Sequence, residues 1–323
     1  MFPCRAGDKP PRLVFAIHDS RFTIHECAPA TIIRRMRRPV VIGIVLLLAV
    51  GALSCQRNQA PAIRLYVFDG GTLASADMGR YRLATNEVTT TNMSVACFLV
   101  AHPRGVLLWD ACAVPDESWT PTGAPALQHL TLPDGQAREV TIANRLLPQL
   151  STAGFTPASV THLALSHYHW DHTANANAFG AAAWVVRPAE REAMLADMPP
   201  PLTQPVTYAA LRRSRVISIT GDDHDVFGDG TVVIKLAAGH TPGHQVLVVK
   251  LPRTGTVVLS GDLYHYPEER ALGRIPTFEA DQAQTAMSRA TVEAFLQRTG
   301  AQLWIQHDFA GNAKLRKAPA YYD

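Results

Sequence analysis

Four potential metal ligands fall within six consecutive residues of this chain, His167-Tyr-His169-Trp-Asp171-His172, inside the string LSHYHWDHTAN. Imidazole and carboxylate groups suit zinc and similar borderline metals. Four of them so close together act jointly only if the backbone turns them toward one point. The apolar run just upstream, residues 161–165, predicts a buried strand. His167 and His169 then alternate onto one face of extended chain, and Asp171 and His172 follow at the turn. The fold must therefore bring strand ends to a common edge where loops deliver ligands.

Three more segments repeat this grammar. Residues 232–236 run into AAGHTPGH, offering His240 and His244; residues 257–259 run into SGDLYH, offering Asp262; residues 303–306 run into His307. Each is a β-branched or apolar run followed by a ligand type.

Other runs predict strands at 63–68, 95–101, 106–109, 182–186, 216–219 and 246–251, with 95–101 and 106–109 forming a hairpin. Asp69-Gly70-Gly71 is read as punctuation ending the first of them. Helical spacing predicts helices at 142–153, 188–198 and 281–299, the first stopped by Gly154 and the second by a run of three prolines. Residues 113–139, rich in proline, glycine and threonine, read as a long surface loop, and Asp222-Asp223-His224-Asp225 as a solvated turn. Strands come in two series, each closing with a helix and a strand. That pattern predicts a layered α/β domain with helix-covered sheets.

With 323 residues, 47% apolar and 18% charged, the chain can build one large core. Its net charge of +3 sits at the front: residues 1–55 hold eight Lys/Arg against three Asp/Glu, leaving 22 basic and 24 acidic residues in the remainder. That leaves no basic patch for nucleic acid. The sequence also lacks the Gly-x-Ser-x-Gly elbow of serine hydrolases and a Gly-rich phosphate loop.

Arg34, Arg35, Arg37 and Arg38 precede an uncharged apolar run of fifteen residues, 40–54, ending at Cys55. This has the form of an export signal and is shorter than the roughly 20 residues of a membrane-spanning helix. Cys55 after Ala-Leu-Ser resembles a bacterial lipoprotein box, so lipid attachment there is an expectation. The organisation expected is a translation start at Met36, with 1–35 outside the mature protein, then a signal at 36–55, a tether at 56–62 and a folded domain over 63–323. Such a protein is exported, either periplasmic or an outer-membrane lipoprotein, and meets a membrane only through the lipid. Beyond Cys55 only Cys97 and Cys112 remain; they are read as two buried thiols, with pairing as the alternative.

The order HxHxDH, GHTxGH, GD and a last histidine resembles the metallo-β-lactamase superfamily over nearly the whole mature chain. The opening LYVFDGGTL and the stretch from GDLYHYPEER to His307 resemble its N-acyl-homoserine lactonase branch. The resemblance implies an αββα sandwich, two sheets covered by helices on both outer faces. It also implies two divalent metal ions, zinc being the expectation. His167, His169 and His240 would hold one and Asp171, His172 and His307 the other, with Asp262 bridging and His244 supporting the turn. A water between the cations would lose its proton near neutral pH and attack the lactone carbonyl, with Asp171 passing a proton to the leaving oxygen. In that branch a tyrosine three residues beyond the bridging aspartate helps bind the carbonyl; here that position is His265, flanked by Tyr264 and Tyr266. Tyr264 is the first candidate for that role and His265 the second. Met194, Leu195, Met198 and Phe278 are the expected wall of an acyl trough. The substrate implied is an N-acyl-homoserine lactone; the alternative is a broader hydrolase of other esters, thioesters, β-lactams or phosphotriesters.

Overall fold

A computed structural model of the chain describes residues 62–74, 77–123 and 125–323. The apolar run at 40–54, Cys55 and tether residues 56–61 lie outside the described residues. In chain order the strands are β1 (Arg64–Ala74), β2 (Asn92–His102), β3 (Gly105–Trp109), β4 (Ala126–Thr131), β5 (Ala137–Ile142), β6 (His162–Ala164) and β7 (Ala183–Val186). They continue as β8 (Val216–Ser218), β9 (Asp223–Asp225), β10 (Val232–Leu236), β11 (Gln245–Leu251), β12 (Gly255–Leu259), β13 (Gln302–Trp304) and β14 (Tyr321–Tyr322). The helices are α1 (Leu146–Thr152), α2 (Trp170–Thr173), α3 (Pro188–Leu195), α4 (Pro267–Leu272), α5 (Gln282–Thr299) and α6 (Phe309–Lys314). None of the described helices is long and apolar enough to cross a membrane.

The strands form two mixed sheets. One runs β4-β5-β1-β2-β3-β6-β7-β8, with β14 also paired to β1; the other runs β13-β12-β11-β10-β9. Their central strands are apolar on both faces because both faces are covered. Leu65, Val67, Phe98, Val100, Leu107 and Trp109 of the first sheet pack with Ile234, Leu247, Val249 and Leu259 of the second, making the core between the sheets. The alternate residues Tyr66, Phe68, Cys97, Leu99 and Leu108 turn the other way, against Leu146 and Leu150 of α1 and Met194 of α3. On the far side of the second sheet, Val246, Val248 and Val258 meet Val292 and Leu296 of α5. Helix, sheet, sheet and helix therefore stack in the expected αββα order.

α5 begins at Asp281, whose side chain accepts the Gln284 N–H, and ends at Gly300 in the left-handed region, φ 68°. Its buried residues Thr285, Arg289, Val292 and Leu296 recur at helical spacing along one face.

Several sequence expectations need correction. The region 113–139 is not a plain loop, since β4 and β5 pair from Ala126↔Ile142 to Thr131↔Ala137. Ala126, Gln128 and Leu130 face inward and the residues between them outward, an alternation that the region's turn-rich composition obscured. Asp69 to Gly71 does not end β1; the strand continues through an irregularity in its pairing with β2 between Asp69 and Thr72. The acidic stretch at 222–225 is largely the edge strand β9, paired to β10. α3 stops at Leu195, because Ala196 is already extended. Cys97 and Cys112 are not free thiols but a disulfide, with Cα atoms 5.4 Å apart.

Candidate metal centre

The ligand-bearing loops leave the ends of β6, β10, β12 and β13 and meet at one edge of the sandwich. His167 and His169 follow β6, and His169 caps α2, which carries Asp171 and His172. Two loop glycines allow this convergence. At Gly239, φ 135°, a side chain would collide with Thr285 of α5. At Gly261, φ 50°, a Cβ would lie 2.7 Å from both His244 Nε2 and Ser166 Cβ. The glycines of the GH and GD motifs thus let two loops sit flush against their neighbours.

All seven sequence-predicted ligands come together, and all are buried. His167, His169, His240 and Asp262 form one group; Asp171, His172 and His307 form the second. In the first, His169 Nδ1 lies 2.9 Å from His167 Nε2 and 3.0 Å from His240 Nε2. Asp262 Oδ2 lies 3.5 Å from His167 Nε2 and 3.3 Å from His240 Nε2. In the second, Asp262 Oδ1 lies 3.1 Å from His172 Nε2 and 3.0 Å from His307 Nε2. Asp171 Oδ2 lies 3.9 Å from His172 Nε2 and 3.6 Å from His307 Nε2. One carboxylate therefore turns an oxygen toward each group.

These donors fit cations. Tetrahedral zinc with ligand bonds of about 2.0–2.1 Å has ligand atoms roughly 3.3 Å apart, close to the spacings found. His172 Nε2 and Asp262 Oδ1 are buried without a hydrogen bond, a costly arrangement in a protein interior unless a metal takes both. Burial also holds the His167 and His169 imidazoles well below their usual range, so they are neutral at pH 7 with lone pairs to donate.

The remaining ring nitrogens are pinned from behind. His172 Nδ1 lies 2.9 Å from Asp110 Oδ2, His240 Nδ1 lies 2.9 Å from Glu279 Oε1, and His307 Nδ1 lies 2.7 Å from the Ser94 carbonyl. Such partners fix which nitrogen faces the metal. Sequence reasoning missed Asp110 and Glu279. Asp110 directly follows the apolar strand β3, so the rule that flagged the other strand ends applies to it as well. Glu279 lies in the loop before α5 with no local signature. His244 does not join either group: its Nδ1 faces the Ala237 carbonyl and its Nε2 accepts the Asp262 N–H, each at 2.9 Å. It supports the turn, as expected.

A cavity of about 390 Å³ opens over the ligands. His169, Asp171, His240, Asp262, His265 and His307 line its floor, and its walls mix apolar Leu73, Met93, Trp170, Leu202 and Phe278 with charged Asp77, Arg80, Arg138 and Glu139. Of the expected trough only Phe278 takes part. Met194 is buried in the helix-side core, Leu195 packs against that core, and Met198 is 90% exposed.

Tyr264, the first candidate for binding a carbonyl, points away. It is buried between the second sheet and α5, its hydroxyl donates to Glu293 Oε1 at 3.1 Å, and Arg289 lies over its ring. His265, the next residue along the chain, is the one that reaches the cavity. His265 Nε2 is 3.3 Å from Asp262 Oδ2 and its Nδ1 is 3.3 Å from Glu269 Oε1. Burial draws this imidazole down, but the Glu269 and Asp262 carboxylates outweigh it and bring it to about 10. Arg289 in turn holds Glu269, 2.7 Å from its Oε2.

Known proteins share this architecture. An N-acyl homoserine lactonase AttM of Azorhizobium caulinodans is 28% identical over 272 residues, covering 81% of this chain and 99% of its own. The N-acyl homoserine lactonase AiiA of Bacillus thuringiensis subsp. kurstaki is 25% identical, covering 71% and 87%. A solved N-acyl homoserine lactone hydrolase, with N-hexanoyl-L-homoserine bound at its catalytic metal centre, superposes with a TM-score of 0.66 at 22% identity, over 80% of this chain and 99% of that one. The dizinc quorum-quenching lactonase AidC shares the fold at a TM-score of 0.57 and 18% identity, over 81% and 94%. The profile of the Metallo-beta-lactamase superfamily matches residues 90–301, and with the two ligand groups in place the chain belongs to that superfamily.

Proposed function

We propose that this protein is a dinuclear-metal hydrolase that opens the lactone ring of N-acyl-homoserine lactones. The observation that carries this reading is the Asp262 carboxylate divided between two ligand groups at the floor of a partly apolar cavity. Near full-length similarity to lactonases selects the substrate. Two divalent ions, zinc by the ligand types, would be held by the seven residues. When bound, they supply Lewis acidity and make a water acidic enough to lose its proton near neutral pH.

The chain's own groups do the rest. His265 sits on the cavity floor, where its Nε2 can meet the lactone carbonyl oxygen. Asp171 lines the same cavity and can carry a proton to the ring oxygen. Water's oxygen bonds to the carbonyl carbon and the ring C–O bond breaks; one of the water's protons ends on the departing oxygen as an alcohol, and the other is released to solvent, leaving a carboxylate. The apolar part of the walls, Phe278 included, suits the acyl chain.

A second reading, a broader hydrolase of esters, thioesters, β-lactams or phosphotriesters, is favoured by one observation: an imidazole faces the cavity where the lactonase branch has a tyrosine. A substrate panel separates the two. The expected result is the gain of one water by N-hexanoyl-homoserine lactone, at a kcat/KM well above those for the other classes; lactones left intact would contradict the leading reading.

We also infer export, with residues 36–55 as the signal, lipid attachment at Cys55 and 56–62 as the tether to the folded domain. The Cys97–Cys112 disulfide supports an oxidising compartment. Labelled-lipid incorporation into the full chain, lost in Cys55→Ser, tests the anchor.

A further inference from the structure

One carboxylate outside the ligand set touches both loops that carry the histidines of the first group. Glu190, in the first turn of α3, is 2% exposed. Its Oε1 accepts the Tyr168 N–H at 2.8 Å, and Tyr168 stands between His167 and His169. The Thr241 hydroxyl, next to His240, lies 3.0 Å from both oxygens, and Oε2 accepts the Gly243 N–H at 2.9 Å. The fit is close: a Cβ on Gly243 would lie 2.8 Å from Glu190 Cβ. Nothing comparable links Glu190 to the second group. There His172 leans on Asp110, and His307 on the Ser94 carbonyl.

A buried carboxyl group with donors from two loops ties those loops together, because releasing either leaves buried polar atoms without a hydrogen-bond partner. Here the loops carry His167 and His169 on one side and His240 on the other. Glu190's own hydrogen bonds fall beside these three histidines, whereas His172, further along the first loop in α2, is held by Asp110.

We propose that Glu190 is a positioning residue that sets the affinity of one of the two metal sites, the one formed by His167, His169 and His240, and leaves the second to Asp110 and Ser94. This rests on the two-metal reading above but not on the substrate. Glu190 touches neither ligand nor cavity; it acts through the backbone of its neighbours.

The test uses the full chain loaded with Co²⁺, comparing wild type, Glu190→Ala, Glu190→Gln and Met194→Ala, a core truncation on the same helix. Metal per chain and the cobalt absorption bands are followed as a chelator is titrated in, with circular dichroism reporting the fold. Glu190→Ala should weaken one of the two binding steps by about 10–100-fold and leave the other within error. Glu190→Gln should fall between, since its amide keeps one acceptor oxygen but turns N–H groups toward existing donors. It also carries the test if Glu190→Ala does not fold. Met194→Ala should lower the melting temperature without separating the two steps. Equal loss at both steps, no loss at either step, or the same split in Met194→Ala would each overturn the proposal. A wild-type chain that binds fewer than two metal ions would overturn it together with the two-metal reading, whereas two bound ions without lactone hydrolysis would contradict only the substrate.

Discussion

His244 Nε2 accepts the backbone N–H of Asp262 at 2.9 Å while its Nδ1 faces the Ala237 carbonyl at the same distance. The two partners dictate the tautomer: Nδ1 carries the proton and Nε2 the lone pair. Burial, reinforced by the neighbouring His240, brings this imidazole down to about 3, so the neutral form persists well into acid. The second histidine of GHTPGH is thus a bracket for the one carboxylate that both ligand groups share.

His244→Ala should therefore weaken both metal-binding steps, each by about 10–100-fold, unlike substitution of Glu190. Between pH 7 and pH 5 the bracket itself should not titrate. Any change in metal affinity over that range then comes from outside this bracket and is common to both proteins. Chelator titrations of wild type and His244→Ala at the two pH values check this: the ratio of their affinities should stay constant.

Asp110 is expected to mirror Glu190 on the other site. Its Oδ1 accepts the Ser166 N–H at 2.6 Å, while Oδ2 accepts the Ser166 hydroxyl and the Gln306 amide and faces His172 Nδ1, all three at 2.9 Å. Asp110→Asn cannot receive all these donors. Asparagine does tolerate the left-handed backbone found there, φ 60°, so the fold should survive. The expected outcome is a larger loss at the site of Asp171, His172 and His307 than at the first, which feels the change only through the Ser166 hydroxyl 3.0 Å from His167 Nδ1, read by metal stoichiometry under graded chelator.

In the cavity wall, Phe278→Ala should raise KM for long acyl chains more than for short ones, by several-fold, because it removes apolar surface worth roughly 2 kcal/mol when fully buried. Met198→Ser should change neither KM nor kcat, since that side chain lies in solvent. Steady-state kinetics over a chain-length series gives both answers.

What was legible in the sequence follows from how local each signal is. Every ligand stands just beyond a short apolar run, so strand and chemistry could be read together at His167, His240, Asp262 and His307. The partners behind them could not. Glu190 meets Tyr168 and Gly243 from 22 and 53 positions away, and a lone carboxylate in a helix carries no mark of its donors. Tyr264 and His265 show the limit of motif transfer: one step along the chain changes which cluster a side chain joins, and the residue of the right chemical type was on the wrong side. The β4–β5 hairpin hid for a different reason. Its strands alternate, but their polar faces and flanking prolines and glycines gave the region the composition of a loop.

The disulfide closes a 15-residue separation between β2 and the segment after β3, next to Asp110. Loop-closure entropy gives such a link a stabilising contribution of about 3 kcal/mol. The Cys97→Ser, Cys112→Ser double variant, and the wild type under reductant, should show matching drops in melting temperature. Thiol titration of the unreduced chain should find neither cysteine free.

The most direct measurement is hydrolysis of N-hexanoyl-homoserine lactone by the purified chain, followed together with its metal content as chelator is added and zinc restored. Two metal ions per chain, ring opening that disappears as they are removed and returns with them, and loss of both metal and activity in Asp262→Ala are the results expected. An Asp262→Ala variant with full activity, or a two-metal protein that leaves the lactone closed, would contradict the account.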